Sequence, residues 1–127
     1  MAASSPSLEE LREQVRTNPS NSRNPGGAVA KFDSLVPLMR ENKAIGAAKE
    51  AERKLLSAEW NDRSDDIKFR ETYARAKTAR DTANFRYINA ARRANDLVGR
   101  DIFKTKGWNR GNDAGQAAPR EGGEPDV

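Results

Sequence analysis

Apolar and polar residues recur with helical spacing over two segments of nearly equal length, residues 28–60 and 65–98. Only Asn61 to Ser64 separate the two segments. Helices of this length around so short a link predict an all-α fold built on an antiparallel two-helix hairpin. At a rise of about 1.5 Å per residue each arm would extend roughly 50 Å, so we expect a rod with little interior and no obvious pocket.

The second arm carries the clearest periodicity. Its seam positions follow one another at alternating intervals of four and three residues, which is the spacing of a coiled coil. All of them except Arg80 are apolar or aromatic. They are Phe69, Tyr73, Ala76, Arg80, Ala83, Tyr87, Ala90, Ala94 and Leu97.

The first arm is less regular, because its apolar residues fall into two sets that are out of register with each other. This predicts a stutter near residues 40–43, and Pro37 predicts either a kink or a later start of the helix. The second set is rich in alanine and would form a close but weakly stabilising seam. The sets are Val29, Phe32, Val36 and Met39, and then Ala44, Ala48, Ala51, Leu55 and Ala58.

The ends of the helices have recognisable signals. Ser7 and Glu10 form a capping box pattern, which predicts a short helix over about residues 8–16. Either Ser64 or Asp62 is expected to cap the second long helix, and Gly99 suits a left-handed stop at its end. The predicted organisation is a short N-terminal helix with a Pro/Gly/Asn linker over 1–27, the hairpin over 28–103 and a flexible tail over 104–127.

Composition narrows the chemistry. The 127 residues include neither cysteine nor histidine. Thiolate nucleophiles, Ser-His pairs and the usual zinc ligands are therefore absent, and no glycine-rich phosphate loop is present. No apolar run is long enough to cross a bilayer. We predict a non-enzymatic protein without a metal, cofactor, small-molecule substrate or membrane insertion, which is either cytoplasmic, virion-associated or secreted without a cleaved signal peptide.

Several large apolar residues lie off the predicted seams, among them Ile45, Leu56 and Trp60. Either the short N-terminal helix or another chain must cover them, and we favour a partner or self-association. Trp108 is either an anchor for a partner or part of a segment that folds back on the end of the hairpin. The candidate protein-interaction residues are Trp60, Phe85, Ile88 and Trp108.

Positive charge is concentrated on the second arm, where residues 70–93 contain seven basic and two acidic side chains. One interpretation is a row of cations that tracks a nucleic-acid backbone. The other, which we favour, is a solvated flank that pairs with acids such as Glu52 and Glu59; we also predict a pair between Arg80 and Glu41 that fixes the register. The basic residues are Arg70, Arg75, Lys77, Arg80, Arg86, Arg92 and Arg93.

These patterns favour a helical interaction or assembly protein, such as a component of a virion or secretion system or an effector that binds a protein partner. Two hairpins pairing into a four-helix bundle would be one form of assembly. The alternative function is binding to the backbone of duplex RNA or DNA through the basic helix.

Overall fold

The computed structural model of the chain describes residues 6–105, and this part is helical with no strand. Two long helices pack together as the predicted hairpin. The remaining 22 residues of the predicted tail, which include Trp108, lie outside the described residues. The helices are α1 (Leu8–Thr17), α2 (Pro25–Ala58), α3 (Trp60–Arg63) and α4 (Ile67–Val98), with a 3-10 turn at Pro19–Asn21 between α1 and α2.

Local sequence explains where α1 and α2 begin. The capping box of α1 is confirmed, because the Ser7 hydroxyl accepts from the Glu10 N–H and the Glu10 carboxylate accepts from the Ser7 N–H. At α2 the Asn24 side chain accepts from the Gly27 N–H, so the helix starts at Pro25 rather than Ala28. Since α2 continues through Pro37, the predicted delay of its start is wrong.

The connection between the long helices contains an extra helical turn, α3. The cap of α4 is Asp66, whose carboxylate accepts from the Lys68 and Phe69 N–H groups, so the predicted cap at Ser64 or Asp62 is wrong. The predicted stop is confirmed: Gly99 is left-handed with φ 94° and its N–H donates to the Asn95 carbonyl.

The short helix α1 packs on the end of the hairpin that lies away from α3. We call this end the base. Leu11 and Val15 are buried there against both long helices. Asn95 holds the chain after α4 in the same place, because its side chain accepts from the Ile102 and Phe103 N–H groups. The core of the base consists of Leu11, Val15, Phe32, Leu35, Val36, Met39, Tyr87, Ile88, Ala90, Ala91, Ala94 and Val98.

Contacts between the long helices define their register. Gly46 lies beside Asn84, Glu50 binds Arg80, and Arg53 binds Tyr73. Residue numbers therefore rise along α2 as those of the facing residues fall along α4.

The seam of α4 is confirmed, since its apolar members are buried except for the partly buried Leu97. On α2 the first apolar set packs inward, but the alanine-rich set is exposed throughout, with Leu55 at 72%. The predicted stutter is wrong as well. From Phe32 the inward positions keep the three-and-four rhythm without interruption through Leu35, Met39, Asn42, Gly46, Lys49, Arg53, Leu56 and Trp60.

Candidate functional site

An ion-pair network occupies the middle of the hairpin seam. The Glu50 carboxylate accepts from Arg80 at 2.7 Å and from Arg53 at 2.9 Å and 3.0 Å. Arg53 also donates to the Tyr73 hydroxyl at 3.2 Å, and Arg80 donates to Asp81 at 2.9 Å. The predicted partner of Arg80 is therefore wrong: it pairs with Glu50, not Glu41.

The network shifts the pKa values of Glu50, Arg53 and Arg80. The hydrogen bond from Arg53, and after it that from Arg80, lowers the pKa of Glu50 to about 2 against the opposing effect of burial. The hydrogen bond to Glu50 raises the pKa of Arg53. Burial lowers the pKa of Arg80, but its hydrogen bonds to Glu50 and Asp81 outweigh that effect and raise it. Arg80 is consequently a fixed, internally paired cation and is not available to a phosphate.

Aromatic residues close the end of the seam next to α3. The Trp60 ring lies 6.0 Å from that of Phe69 and 5.3 Å from that of Tyr73, measured between centroids. The Arg63 guanidinium lies 4.7 Å from the centroid of the Phe69 ring. Trp60, a predicted interaction residue, is thus partly buried within its own chain.

The other predicted interaction residues are scattered. Ile88 is 2% exposed and lies in the core of the base together with Leu11 and Val15 of α1, so it does not belong to an exposed surface of the described residues. Phe85 is 58% exposed. Its helical position places it on the side of α4 that points away from α2.

Beside the seam, each long helix has a second row of residues spaced alternately by three and four positions. The residues of these rows are exposed or partly exposed. We call these two rows the open face. On α2 and its C-cap the row is Leu38, Glu41, Ile45, Ala48, Glu52, Leu55 and Glu59. On α4 it is Thr72, Arg75, Ala79, Thr82, Arg86, Asn89 and Arg93.

The two rows adjoin each other on the side of the hairpin opposite α1. A shallow groove of about 530 Å3 brings Glu52 of α2 together with Thr72 and Ala79 of α4. Both helices keep the same repeat. One heptad closer to the base, Ile45 is therefore level with Arg86; two heptads closer to the base, Leu38 is level with Arg93. On the opposite side of the seam, Arg12 of α1 binds Asp33 of α2 at 2.9 Å.

Charge is segregated between the two rows. The α2 row contains three acids, Glu41, Glu52 and Glu59, and no base, whereas the α4 row contains three arginines and no acid. Within the described residues, Glu41 and the arginines of the α4 row form no ion pair; Glu52 pairs with Lys49 and Glu59 with Arg63. The arginines of the α4 row are Arg75, Arg86 and Arg93.

The structure therefore divides the seven predicted basic residues. Arg75, Arg86 and Arg93 belong to the open face. Arg80 is inside the seam. Arg70 and Lys77 lie on the flank opposite the open face, and Arg92 points away from α2, one heptad after Phe85.

Sequence reasoning missed the α2 row of the open face. It noted Ile45 only as an apolar residue off the seam, and it assigned Leu55 to the seam itself. The available signal was the uninterrupted rhythm from Leu38 to Glu59, which runs parallel to the inward rhythm that ends at Trp60.

Across residues 6–105 no cluster of three or more acidic residues is arranged to hold a metal ion. In the same range no helix combines the length and hydropathy that crossing a membrane would require. Neither a family model, nor a curated protein, nor a solved structure matches the chain.

Proposed function

We propose that the protein is a non-enzymatic helical assembly protein, in which an antiparallel, coiled-coil-like hairpin presents the open face to a protein partner. The observation that carries this proposal is the exposure of large apolar residues in register on one face. Leu38 and Ile45 are 46% and 40% exposed, although the core of the base is complete without them. Apolar residues aligned at heptad spacing on an exposed helix face favour a helical partner.

The charges of the open face support a protein partner over a nucleic acid. A phosphate backbone that followed the arginines of α4 would pass beside the three glutamates of the α2 row, which repel it. The other basic residues point in different directions, and Arg80 is already paired. A row of acidic and apolar residues beside a row of arginines instead suits a protein helix.

A pair of matched double variants tests this function. Leu38→Ser with Ile45→Ser removes two apolar side chains from the open face, and Ile67→Ser with Phe85→Ser removes two that are 67% and 58% exposed elsewhere. Complexes of the full chain, with itself or with proteins of its source, are measured by sedimentation velocity and by pull-down with and without nuclease. We expect the first variant alone to lose them, with helical circular dichroism unchanged in both.

Loss of the complexes on nuclease treatment would instead support the nucleic-acid alternative. Loss in the Ile67/Phe85 variant but not in the Leu38/Ile45 variant would place the contact on the far side of α4 and overturn the role of the open face.

A further inference from the structure

The segregation of charge on the open face identifies its partner. We infer that the open face binds the open face of a second copy of the chain, forming a four-helix bundle around a two-fold axis parallel to the long helices. This inference rests on the proposed function and specifies its partner. In such a dimer α2 of one copy lies on α4 of the other.

The pairing follows from the symmetry of a face-to-face dimer. A two-fold axis that lies along the hairpin exchanges the two rows while keeping each residue at its own level. The acidic α2 row then faces the arginine row of the second copy along its whole length. An axis perpendicular to the hairpin would place acid on acid and arginine on arginine, which is unfavourable.

The levels of the charged residues also match. In the register shown by Glu50 with Arg80, residue 93 is near the level of residue 38 and residue 75 near that of residue 56. Glu41 would therefore lie between Arg93 and Arg86 of the second copy, and Arg75 of that copy would lie between Glu52 and Glu59. Each acid of the row has an arginine of the other chain within about one helical turn.

Apolar residues occupy the centre of the same face. Leu38 and Ile45 lie in the half of the open face nearer the base. The small residues Ala48 and Ala79 lie in the half nearer α3, where the groove is open. Small side chains let the helices of two copies approach closely. The two-fold axis brings Ile45 of both copies to the same level on diagonally opposite helices, where each also lies beside Arg86 of the other copy, so that its apolar surface loses water.

Charge reversal of whole rows tests the arrangement. One variant changes Glu41, Glu52 and Glu59 to Arg, so that both of its rows are basic. A second changes Arg75, Arg86 and Arg93 to Glu, so that both of its rows are acidic. A control reverses three exposed charges away from the open face, Lys54→Glu, Glu71→Arg and Arg92→Glu.

Sedimentation velocity and native mass spectrometry of the full chain measure the outcome, with circular dichroism to confirm folding. We expect the unaltered chain and the control to dimerise, each row variant alone to dimerise about 100-fold more weakly, and an equimolar mixture of the two to form the mixed dimer. Glu41 and Asn89 are at one level on opposite rows. In an otherwise unaltered chain we therefore expect Glu41→Cys with Asn89→Cys to cross-link between copies.

A monomeric unaltered chain at all accessible concentrations would overturn the inference. So would row variants that dimerise as well as the unaltered chain, or a mixture that stays monomeric. If the pure chain is monomeric but a protein complex still depends on Leu38 and Ile45, the self-pairing fails while the proposed function stands. If neither dimer nor complex depends on the open face, both fail.

Discussion

At the scale of single residues, the carboxylate of Glu50 couples folding to pH. Its pKa is about 2 in the folded chain against an ordinary value of 4.5. Because the folded pKa is the lower one, the stabilisation is fully present above about pH 4.5 and is lost as the pH falls towards 2. Discounted for partial exposure, it amounts to on the order of 2 kcal/mol.

We therefore expect Glu50→Gln to lower the free energy of unfolding at neutral pH by about 2 kcal/mol, because Arg53 is left buried without its counter-charge. Urea unfolding from pH 7 to pH 2 measures this, and the variant should lose part of the acid dependence. Glu71→Gln, an exposed change on α4, is the control. Parallel pH curves for the Glu50→Gln variant and the unaltered chain would show that the network is not coupled to folding.

Gly46 shows how close the long helices come at the middle of the seam. A Cβ there would lie 2.5 Å from the Asn84 side-chain oxygen, which is too close, and Asn84 is only 6% exposed. We expect Gly46→Ala to destabilise the chain by about 1 kcal/mol, although alanine is the better helix former.

Shortening the facing side chain should reverse the sign. With Asn84→Ala in place, the nearest remaining neighbour of the added methyl is the Ala83 Cβ at 3.9 Å, an ordinary contact. Gly46→Ala should then stabilise by up to about 1 kcal/mol, as in an unobstructed helix. Chemical denaturation of the four members of this double-mutant cycle measures the coupling, and additive effects would contradict the close approach.

Residue-level signals were predictable where they are local. The capping box at Ser7 and the stop at Gly99 depend only on their immediate neighbours, and both were predicted correctly. The partner of Arg80 was not, because it depends on where the turn between the two long helices lies. The extra turn α3 moves the register, so that Arg80 meets Glu50 instead.

At the scale of helices, α1 contributes two buried residues to the core of the base. Leu11 and Val15 are 3% and 0% exposed. We expect Leu11→Ala to cost about 3 kcal/mol and Val15→Ala about 2 kcal/mol of unfolding free energy, through lost burial and the cavity left behind. Thermal and urea unfolding measure these changes.

Ile67→Ala is the matched control for α1, since Ile67 is 67% exposed and lies outside the open face. Its effect on the monomer should stay within about 0.5 kcal/mol. If the α1 variants were equally mild, the hairpin predicted over residues 28–103 would carry the stability without α1.

The two long helices differ in how far their faces could be predicted. On α4 the inward residues are alanines and aromatics, so hydrophobic periodicity identified them. On α2 the inward positions from Asn42 to Arg53 are polar or glycine, whereas the outward ones are rich in alanine. Alanine is both a core residue and the best helix former on a surface, so its periodicity alone could not distinguish the inward face from the outward one.

At the scale of the whole molecule, the hairpin joins an apolar base to a polar middle and an aromatic end near α3. The apolar base supplies burial, while Arg53, Asn84 and the pair of Glu50 with Arg80 supply contacts across the seam that only one register satisfies. Sequence patterns identify the first kind of region readily. The second depends on which polar side chains face one another, which periodicity does not encode.

We expect the polar middle to specify the register at no net gain in stability. Replacing the triad together, Glu50→Leu with Arg53→Leu and Arg80→Leu, removes three partly desolvated charges at once and takes the ion-pair partner only from the exposed Asp81. The free energy of unfolding should then stay equal or rise by up to about 3 kcal/mol, in contrast to the loss expected for Glu50→Gln. The triple variant lacks the contacts that only one register satisfies, and leucine packs in several registers. We therefore also expect the amide resonances of α2 and α4 to broaden or multiply in nuclear magnetic resonance spectra. A triple variant that is destabilised as much as Glu50→Gln would show that the network is itself a main source of stability. Single sharp resonances would show that the base and the aromatic end suffice to set the register.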